Sequence, residues 1–230
     1  MINKTKRQKK LKELVDKKQE YLLKDAIAII KKSPKTKFDQ TVEISMKLGL
    51  EQSSDQVRGM VNLPHGTGKS VKVLVFCKGE KEKEAKESGA DYVGSDDLVK
   101  KIEQGWFDFD VAVTTPDMMK EIAKLGKMLG PKGLMPNPKT GTVTNEIEKI
   151  VKELKAGKIE YKMDKQSEVK AAVGKVSFQE NMIEENIFSF VNAVLKSNTK
   201  LQKVQNFKAI SISSTMGVGI KLDRSQFKQI

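Results

Sequence analysis

The feature that most constrains the fold is a change in hydrophobic pattern along the chain. In 41–50 an apolar residue stands at every second position, and the same alternation returns after residue 159. Alternation produces strands with one buried face and one polar face, which is typical of an antiparallel sheet. Between these regions, strands such as Val71–Phe76 are apolar almost throughout and alternate with charged helices. This second pattern predicts a parallel sheet covered on both faces.

The simplest architecture that satisfies both patterns is an insertion. We expect an α+β outer domain, an antiparallel sheet with helices, from residues 1–67 and 159–230. An inserted α/β Rossmann-like domain, with a parallel sheet and helices on both faces, is expected over 68–158. The two connecting segments are predicted to form a hinge at 64–68 and 156–158. There Gly66, Gly68 and Gly157 permit unusual backbone angles and Pro64 stiffens the chain, so rigid-body domain motion is the default expectation.

Two helix starts in the inserted domain depend on particular residues. Ser95 precedes two acidic residues, so its side chain is expected to cap free N–H groups at the start of a helix. A further helix is expected to begin at Pro116, because proline is tolerated in a first turn. That helix would bury Met118, Met119, Ile122, Leu125 and Leu129.

The distribution of charge indicates where a polyanion would bind. The net charge is +13, and the two outer segments together carry +11 while 68–159 carry only +2. Nucleic acid is the commonest partner of such a surface. A soluble basic protein without such a partner is the alternative. Binding to an anionic membrane is less favoured, because the basic N-terminal segment is not followed by a helix with an apolar face rich in Trp and Phe. We therefore expect no membrane partner; the single cysteine, Cys77, fits a reducing cytoplasm and excludes an internal disulfide.

Signals for catalysis are weak. The fragment Gly68-Lys69-Ser70 resembles the end of a phosphate-binding loop, but the motif's first glycine is replaced by Leu63 and a strand follows where a helix is needed. The only histidine, His65, lies in the predicted hinge, and no Cys/His cluster exists that could form an ordinary zinc site. A catalytic triad would have to use this same histidine, and a hinge is a poor scaffold for one. Asp108 and Asp110 could share a site or point to solvent. We expect no catalytic residue, metal or cofactor; a nucleotide-dependent enzyme on the inserted domain remains the alternative.

Two glycine-rich stretches are the strongest candidates for contacts with nucleic acid. In 127–143, three prolines favour an ordered loop, and Lys132 and Lys139 suit phosphate contacts; a rigid crossover is an equal alternative. In 211–220, small hydroxyl residues alternate before Met216 and Gly217. Hydroxyl groups and bare backbone can reach an RNA 2′-OH or phosphate at short range. A general nucleic-acid chaperone would show the same features.

Five segments together resemble the family of large ribosomal subunit protein one, in its bacterial form, in matching order and spacing. The segments are "KFDQTVEISMKLGL" (37–50), "SDQVRGMVNLPHGTGK" (54–69), "ADYVGSDDLVKKI" (90–102), "KMLGPKGLMPNPKTGTV" (127–143) and "STMGVGI" (214–220).

The resemblance implies a binding protein of the cytoplasmic ribosome with the split-domain fold described above. Such a protein binds large-subunit rRNA at the mobile stalk and assists release of deacylated tRNA from the exit site. Many bacterial members also repress translation of their own mRNA. The chain is expected to be a monomer when free. The RNA-binding residues carried over are Lys37, Phe38, Thr41, Ser213, Thr215, Met216 and Gly217. Without the resemblance, a place in the core is the favoured interpretation of Phe38, and contact with a base or ribose is the alternative.

Overall fold

The structure, a computed structural model, describes residues 5–16, 19–34, 36–49, 57–79, 81–197 and 207–227, without the side chains of Gln8 and Lys139. The chain divides into two compact units. The outer unit comprises Met1–Gly68 and Ile159–Ile230, and the inserted unit comprises Lys69–Lys158. Each unit has its own hydrophobic core.

The outer unit is built from helices and strands contributed by both ends of the chain. Its first segment contains α1 (Lys6–Glu13), α2 (Leu23–Lys32), β1 (Thr41–Leu48) and β2 (Arg58–Asn62). The inserted unit contains β3 (Val73–Phe76), α3 (Lys81–Glu87), β4 (Tyr92–Gly94), α4 (Asp96–Glu103), β5 (Val111–Thr114), α5 (Met119–Ile122), α6 (Gly126–Leu129) and α7 (Ile147–Ala156). The chain then returns through β6 (Lys158–Lys162), β7 (Glu168–Lys175), α8 (Glu180–Ser197), β8 (Phe207–Ser214) and β9 (Ile220–Lys221).

A four-stranded antiparallel sheet in the order β7-β1-β8-β9 organises the outer unit. The alternation in β1 places Val42, Ile44 and Met46 in the core, with no exposed surface. Helices α2 and α8 pack together and against strands of this sheet. The polar residues of β1 therefore lie on the opposite, solvent-facing side. Strands β2 and β6 form a separate pair.

The inserted unit contains a three-stranded parallel sheet in the order β4-β3-β5. Every residue of β3 is buried, as the continuous apolar pattern predicts. Helix α7 contacts β3 and β5, and α4 contacts β4. The expected fold class, an antiparallel α+β unit with an α/β insertion, is confirmed.

Several element boundaries differ from the sequence-based expectations. The strand expected over Gln56–Leu63 is β2, Arg58–Asn62, and Gln56 lies outside the described residues. Ser95 stands at the start of α4, but its hydroxyl forms no capping hydrogen bond, so this part of the expectation is wrong. The backbone carbonyl of Ser95 accepts the N–H of Leu98.

The helix expected from Pro116 is interrupted. In its place, the 3-10 turn Pro116–Met118 leads into α5, and the 3-10 turn Ala123–Leu125 leads into α6. Gly126 starts the last segment, and glycine weakens a continuous helix. Of the residues expected to be buried here, only Met119 is half-exposed.

Candidate nucleic-acid interface

A short turn after β8 lies beside the start of β1. The backbone N–H of Thr215 donates to the carbonyl of Thr41 at 3.0 Å, and the Thr41 N–H donates to Thr215 Oγ1 at 3.0 Å. The Gly217 N–H closes the turn on the carbonyl of Ser214 at 2.8 Å. We call residues 215–217 the recognition turn. The structure thus brings together Thr41, Thr215, Met216 and Gly217, four of the predicted residues.

Two residues that the sequence analysis did not identify hold the centre of the recognition turn. The Met216 N–H donates to Gln40 Oε1 at 3.0 Å, and Gln40 is only 5% exposed. The Met216 carbonyl accepts Nη2 of Arg7 at 3.3 Å. Both backbone groups of Met216 are therefore bonded within the fold, whereas its side chain lies on the surface.

Gly217 is required by close packing. A β-carbon at this position would overlap Ser214 Oγ and would lie 3.3 Å from the Ser214 backbone N and O. Ser214 Oγ is itself buried and has no hydrogen-bond partner among the described residues. A side chain at 217 would therefore require Ser214 Oγ to move and would press closely on the Ser214 backbone.

Phe38 and Met216 are exposed apolar side chains on the same unit. Phe38 is 53% exposed and Met216 is 56% exposed, so neither belongs to the core. The interpretation of Phe38 as a core residue is wrong. Large apolar side chains that stay in water are candidates for stacking on bases or packing against riboses.

The loop that carries Phe38 is ordered by hydrogen bonds on both sides. Thr36 Oγ1 donates to the carbonyl of Phe38 at 2.6 Å. Asp39 accepts the Ser177 hydroxyl at 2.7 Å and the Ser177 N–H at 3.2 Å. These bonds fasten the loop to the residues after β7. Phe38 is therefore presented on a fixed support.

A cleft of about 610 Å³ opens next to Phe38. It combines two lysines, several hydroxyl or amide groups and an aromatic ring, a mixture suited to a nucleotide. Its lining residues are Ile30, Lys31, Ser33, Thr36, Lys37, Phe38, Asp39, Gln40, Val176 and Ser177. Lys37 is thus placed in the cleft that Phe38 lines.

Ser213 lies on the solvent-facing side of the sheet, opposite Glu43 of β1. Next to this pair along the sheet, Ser45 lies between Ser211 of β8 and Lys170 of β7. At the other end, Lys175 Nζ donates to Thr41 Oγ1 at 2.9 Å. Small hydroxyl side chains on this face leave room for a close approach of a polynucleotide backbone.

The long loop of the inserted unit is ordered. Thr142 Oγ1 accepts the N–H of Asn137 at 2.8 Å, and Thr140 Oγ1 donates to the carbonyl of Asn137 at 2.9 Å. Lys132 Nζ lies 3.8 Å above the centre of the Phe107 ring. Lys139 lies in the 3-10 turn Pro138–Thr140, and its side chain lies outside the described part. Both lysines belong to the inserted unit, whereas the recognition turn belongs to the outer unit.

The glycines of the proposed hinge have left-handed backbone angles. The φ angles are 62° at Gly66, 72° at Gly68 and 113° at Gly157. A β-carbon on Gly68 would also lie 2.8 Å from Cγ of Lys175. Pro64 lies in the turn before these glycines, on the segment that leads to the unit boundary.

The acidic pair of the inserted unit forms ion pairs. Asp108 accepts Lys72 Nζ at 2.6 Å, and this hydrogen bond lowers the pKa of the Asp108 carboxyl. Asp110 accepts Lys69 Nζ at 2.5 Å and the Lys72 N–H at 3.1 Å. Burial opposes ionisation of Asp110, but these hydrogen bonds outweigh it and lower its pKa.

These ion pairs are unlike a catalytic or phosphate-binding site. Lys69, the lysine of the motif fragment, is paired with Asp110, and β3 follows at Val73. Burial raises the pKa of the Cys77 thiol to about 11, which disfavours a reactive thiolate. Among the described residues, no cluster of histidine, cysteine and carboxylate side chains could hold a metal ion. Within the same ranges, no helix has the length and apolar character needed to span a membrane.

Comparisons with known proteins bear on the whole arrangement. A family model described as "Ribosomal protein L1p/L10e family" matches residues 30–218, a range that contains every predicted RNA contact. The large ribosomal subunit protein uL1 of Protochlamydia amoebophila (strain UWE25) is 52% identical over 221 residues. That similarity covers 95% of this chain and 94% of the relative.

Proposed function

The chain belongs to the ribosomal protein L1p/L10e family, and from that membership we propose that its outer unit binds large-subunit rRNA at the mobile stalk. Membership makes the chain a structural protein of the large ribosomal subunit, located on the cytoplasmic ribosome, and not an enzyme. The nucleotide-dependent enzyme considered from the sequence is thereby excluded. The surface that contacts the rRNA, and the residues that form it, are what we propose.

The observation that supports this surface is the fixed recognition turn with its exposed Met216 side chain. The turn is held by Thr41, Gln40 and Arg7, so little conformational entropy is lost when it contacts a rigid RNA. The outer segments also carry +11 of the net charge of +13. A pre-ordered turn on a basic unit combines shape recognition with phosphate attraction.

Each predicted residue has a role that its chemistry allows. Lys37 would contact phosphate, and Phe38 would stack on a base or pack against a ribose. The hydroxyls of Thr41, Ser213 and Thr215 would bond 2′-OH groups or phosphates. Met216 would pack against a sugar edge, and Gly217 keeps the backbone close to β8. Lys132 and Lys139 would form a second, separate contact from the inserted unit.

Two finer functions extend the proposal. Assistance in the release of deacylated tRNA from the exit site would require the inserted unit to move about the glycine-rich segments 64–68 and 156–158. Repression of the protein's own mRNA would require that message to carry a structure resembling the rRNA site. Both would use the same outer-unit surface for anchoring.

The proposed surface is tested by gel-shift titration of the full-length chain with a stalk rRNA fragment. Thr215→Val should weaken binding about tenfold, because it removes a hydroxyl contact with RNA worth roughly 1–1.5 kcal/mol and also the bond by which Thr215 Oγ1 holds the turn to Thr41. Met216→Asp should weaken it about a hundredfold or more, since it places a carboxylate near phosphates. Far-UV circular dichroism should be unchanged for both variants, because both side chains are exposed and the bond lost in Thr215→Val is confined to the turn.

Leu22→Asp is the matched control. Leu22 is 54% exposed in the same unit, so this variant makes the same chemical change outside the proposed surface. It should retain nearly wild-type affinity. Wild-type affinity of Met216→Asp would remove the recognition turn from the site. Equal binding of the wild-type chain to an unrelated RNA of the same length would instead support a non-specific nucleic-acid chaperone.

A further inference from the structure

The N-terminal helix α1 contacts the recognition turn directly. Arg7, in its first turn, donates from Nη2 to the Met216 carbonyl, although the two residues are 209 positions apart. Leu11 and Val15 anchor the same segment, with exposures of 6% and 5%. The helix is therefore docked beside the recognition turn by its own apolar positions.

The docked helix is strongly basic. Residues 6–13 contain five lysines and arginines and a single glutamate. Successive residues on a helix are separated by about 100°, so Arg7 and Leu11 share the inward stripe. Lys6 and Lys10, which are four positions apart, lie together on one flank of that stripe. Both lysine side chains are exposed.

The guanidinium group of Arg7 is not fully satisfied by the fold. Its Nε is buried and has no hydrogen-bond partner among the described residues. Within the described part of the chain, Arg7 Nη2 donates to the Met216 carbonyl at 3.3 Å. Because Nε is buried, Arg7 acts by holding α1 against the recognition turn. The exposed side chains of Lys6 and Lys10 are the ones that phosphate oxygens can reach.

We infer that α1 forms a second wall of the RNA site, in which Lys6 and Lys10 contact phosphodiester oxygens and Arg7 holds the helix against the recognition turn. This inference rests on the proposed function, since it needs RNA at the recognition turn. It adds a segment that lies before the family-matched range of 30–218. Arg7 is a positioning residue, and Lys6 and Lys10 are the phosphate ligands.

The test measures the affinity of the full-length chain for the stalk rRNA fragment across a series of salt concentrations. Each phosphate contact contributes about 0.7–0.9 to the slope of log K against log salt. Lys6→Gln combined with Lys10→Gln should therefore reduce the slope by about 1.5. Arg7→Ala should also reduce it although both lysines remain, because Leu11 and Val15 then hold the segment but nothing fixes the start of the helix against the recognition turn. Arg7→Lys should restore part of the slope.

A charge-matched control separates local contact from net charge. Lys83→Gln with Lys86→Gln removes two exposed lysines from α3 in the inserted unit, and its slope should stay at the wild-type value. An equal reduction in this control would overturn the inference. A wild-type slope in the Lys6/Lys10 variant would also overturn it. If Met216→Asp still weakens binding in that case, the proposed function remains intact. If the wild-type chain bound the stalk rRNA fragment and an unrelated RNA equally well, both the inference and the proposed function would be overturned.

Discussion

Asn186 of α8 is a fully buried polar residue that hydrogen-bonds the segment 64–68, where a hinge was predicted. Its Oδ1 accepts the His65 N–H at 3.1 Å. Its Nδ2 donates to the carbonyls of Gly66 at 2.9 Å and Val173 at 2.8 Å. The single side-chain amide of Asn186 thus forms hydrogen bonds with three backbone groups. Gly66, with a φ of 62°, is thereby bonded through its carbonyl to α8.

Asn186→Ala should lower the free energy of unfolding of the outer unit by about 3 kcal/mol, because three buried backbone groups lose their partner. Asn192→Ala on the same helix is the control. Asn192 is half-exposed, so its replacement should change stability by about 0.5 kcal/mol or less. Urea unfolding followed by far-UV circular dichroism measures both. Equal effects would show that the bonds of Asn186 contribute little.

At the scale of single residues, the sequence pointed to the exposed candidate residues of the recognition turn but not to the residues that hold the turn in place. Thr215, Met216 and Gly217 carry a local signal, namely hydroxyl alternation interrupted by a glycine. Gln40 and Arg7 carry none, because glutamine and arginine are common everywhere on surfaces. Their roles exist only through partners 176 and 209 positions away.

At the scale of elements, hydrogen bonds to the Asp110 carboxylate join the segments that lead into β3 and β5 of the parallel sheet. Asp110, just before β5, accepts both the Lys72 N–H, near the start of β3, and Lys69 Nζ. Because its folded pKa is lowered, ionised Asp110 stabilises the folded state. This contribution is fully present above the unfolded pKa of about 3.9 and is lost as pH falls through the folded pKa.

Asp110→Asn should therefore destabilise the inserted unit near neutral pH, and the difference from wild type should shrink as pH falls below about 4. The neutral amide cannot reproduce the charge-assisted bond to Lys69. Thermal unfolding of both proteins between pH 7 and pH 3 measures this difference. A difference that stays constant down to pH 3 would mean that the effect comes from packing and not from the carboxylate charge.

At the scale of the whole molecule, the two units have separate cores. The larger cluster contains only outer-unit residues, such as Ile44 and Phe190, and the smaller contains only inserted-unit residues, such as Phe76 and Ile102. The charge is divided in the same way, since most of the surplus lies in the outer segments. Folding and RNA affinity of the outer unit should therefore not depend on the insertion.

Joining residues 1–67 to 160–230 should give a folded protein that binds the stalk rRNA fragment selectively and with strong salt dependence. Its Kd should lie within about tenfold of that of the full chain, because the phosphate contacts are retained. Circular dichroism establishes folding before affinity is compared with that for an unrelated RNA. A folded but unselective product would assign recognition to the inserted unit, where Lys132 and Lys139 would be examined first.

The sequence by itself determined the two kinds of sheet and the insertion, because the hydrophobic period of a strand is a local property that depends on which faces are buried. Only the tertiary structure decided that Phe38 is exposed, that Asn186 bonds the backbone of His65 and Gly66, and that Arg7 reaches Met216. It also decided that the segment from Pro116 is broken into short turns. These features depend on residues brought together from distant positions, and hydrophobic periodicity carries no information about such pairs.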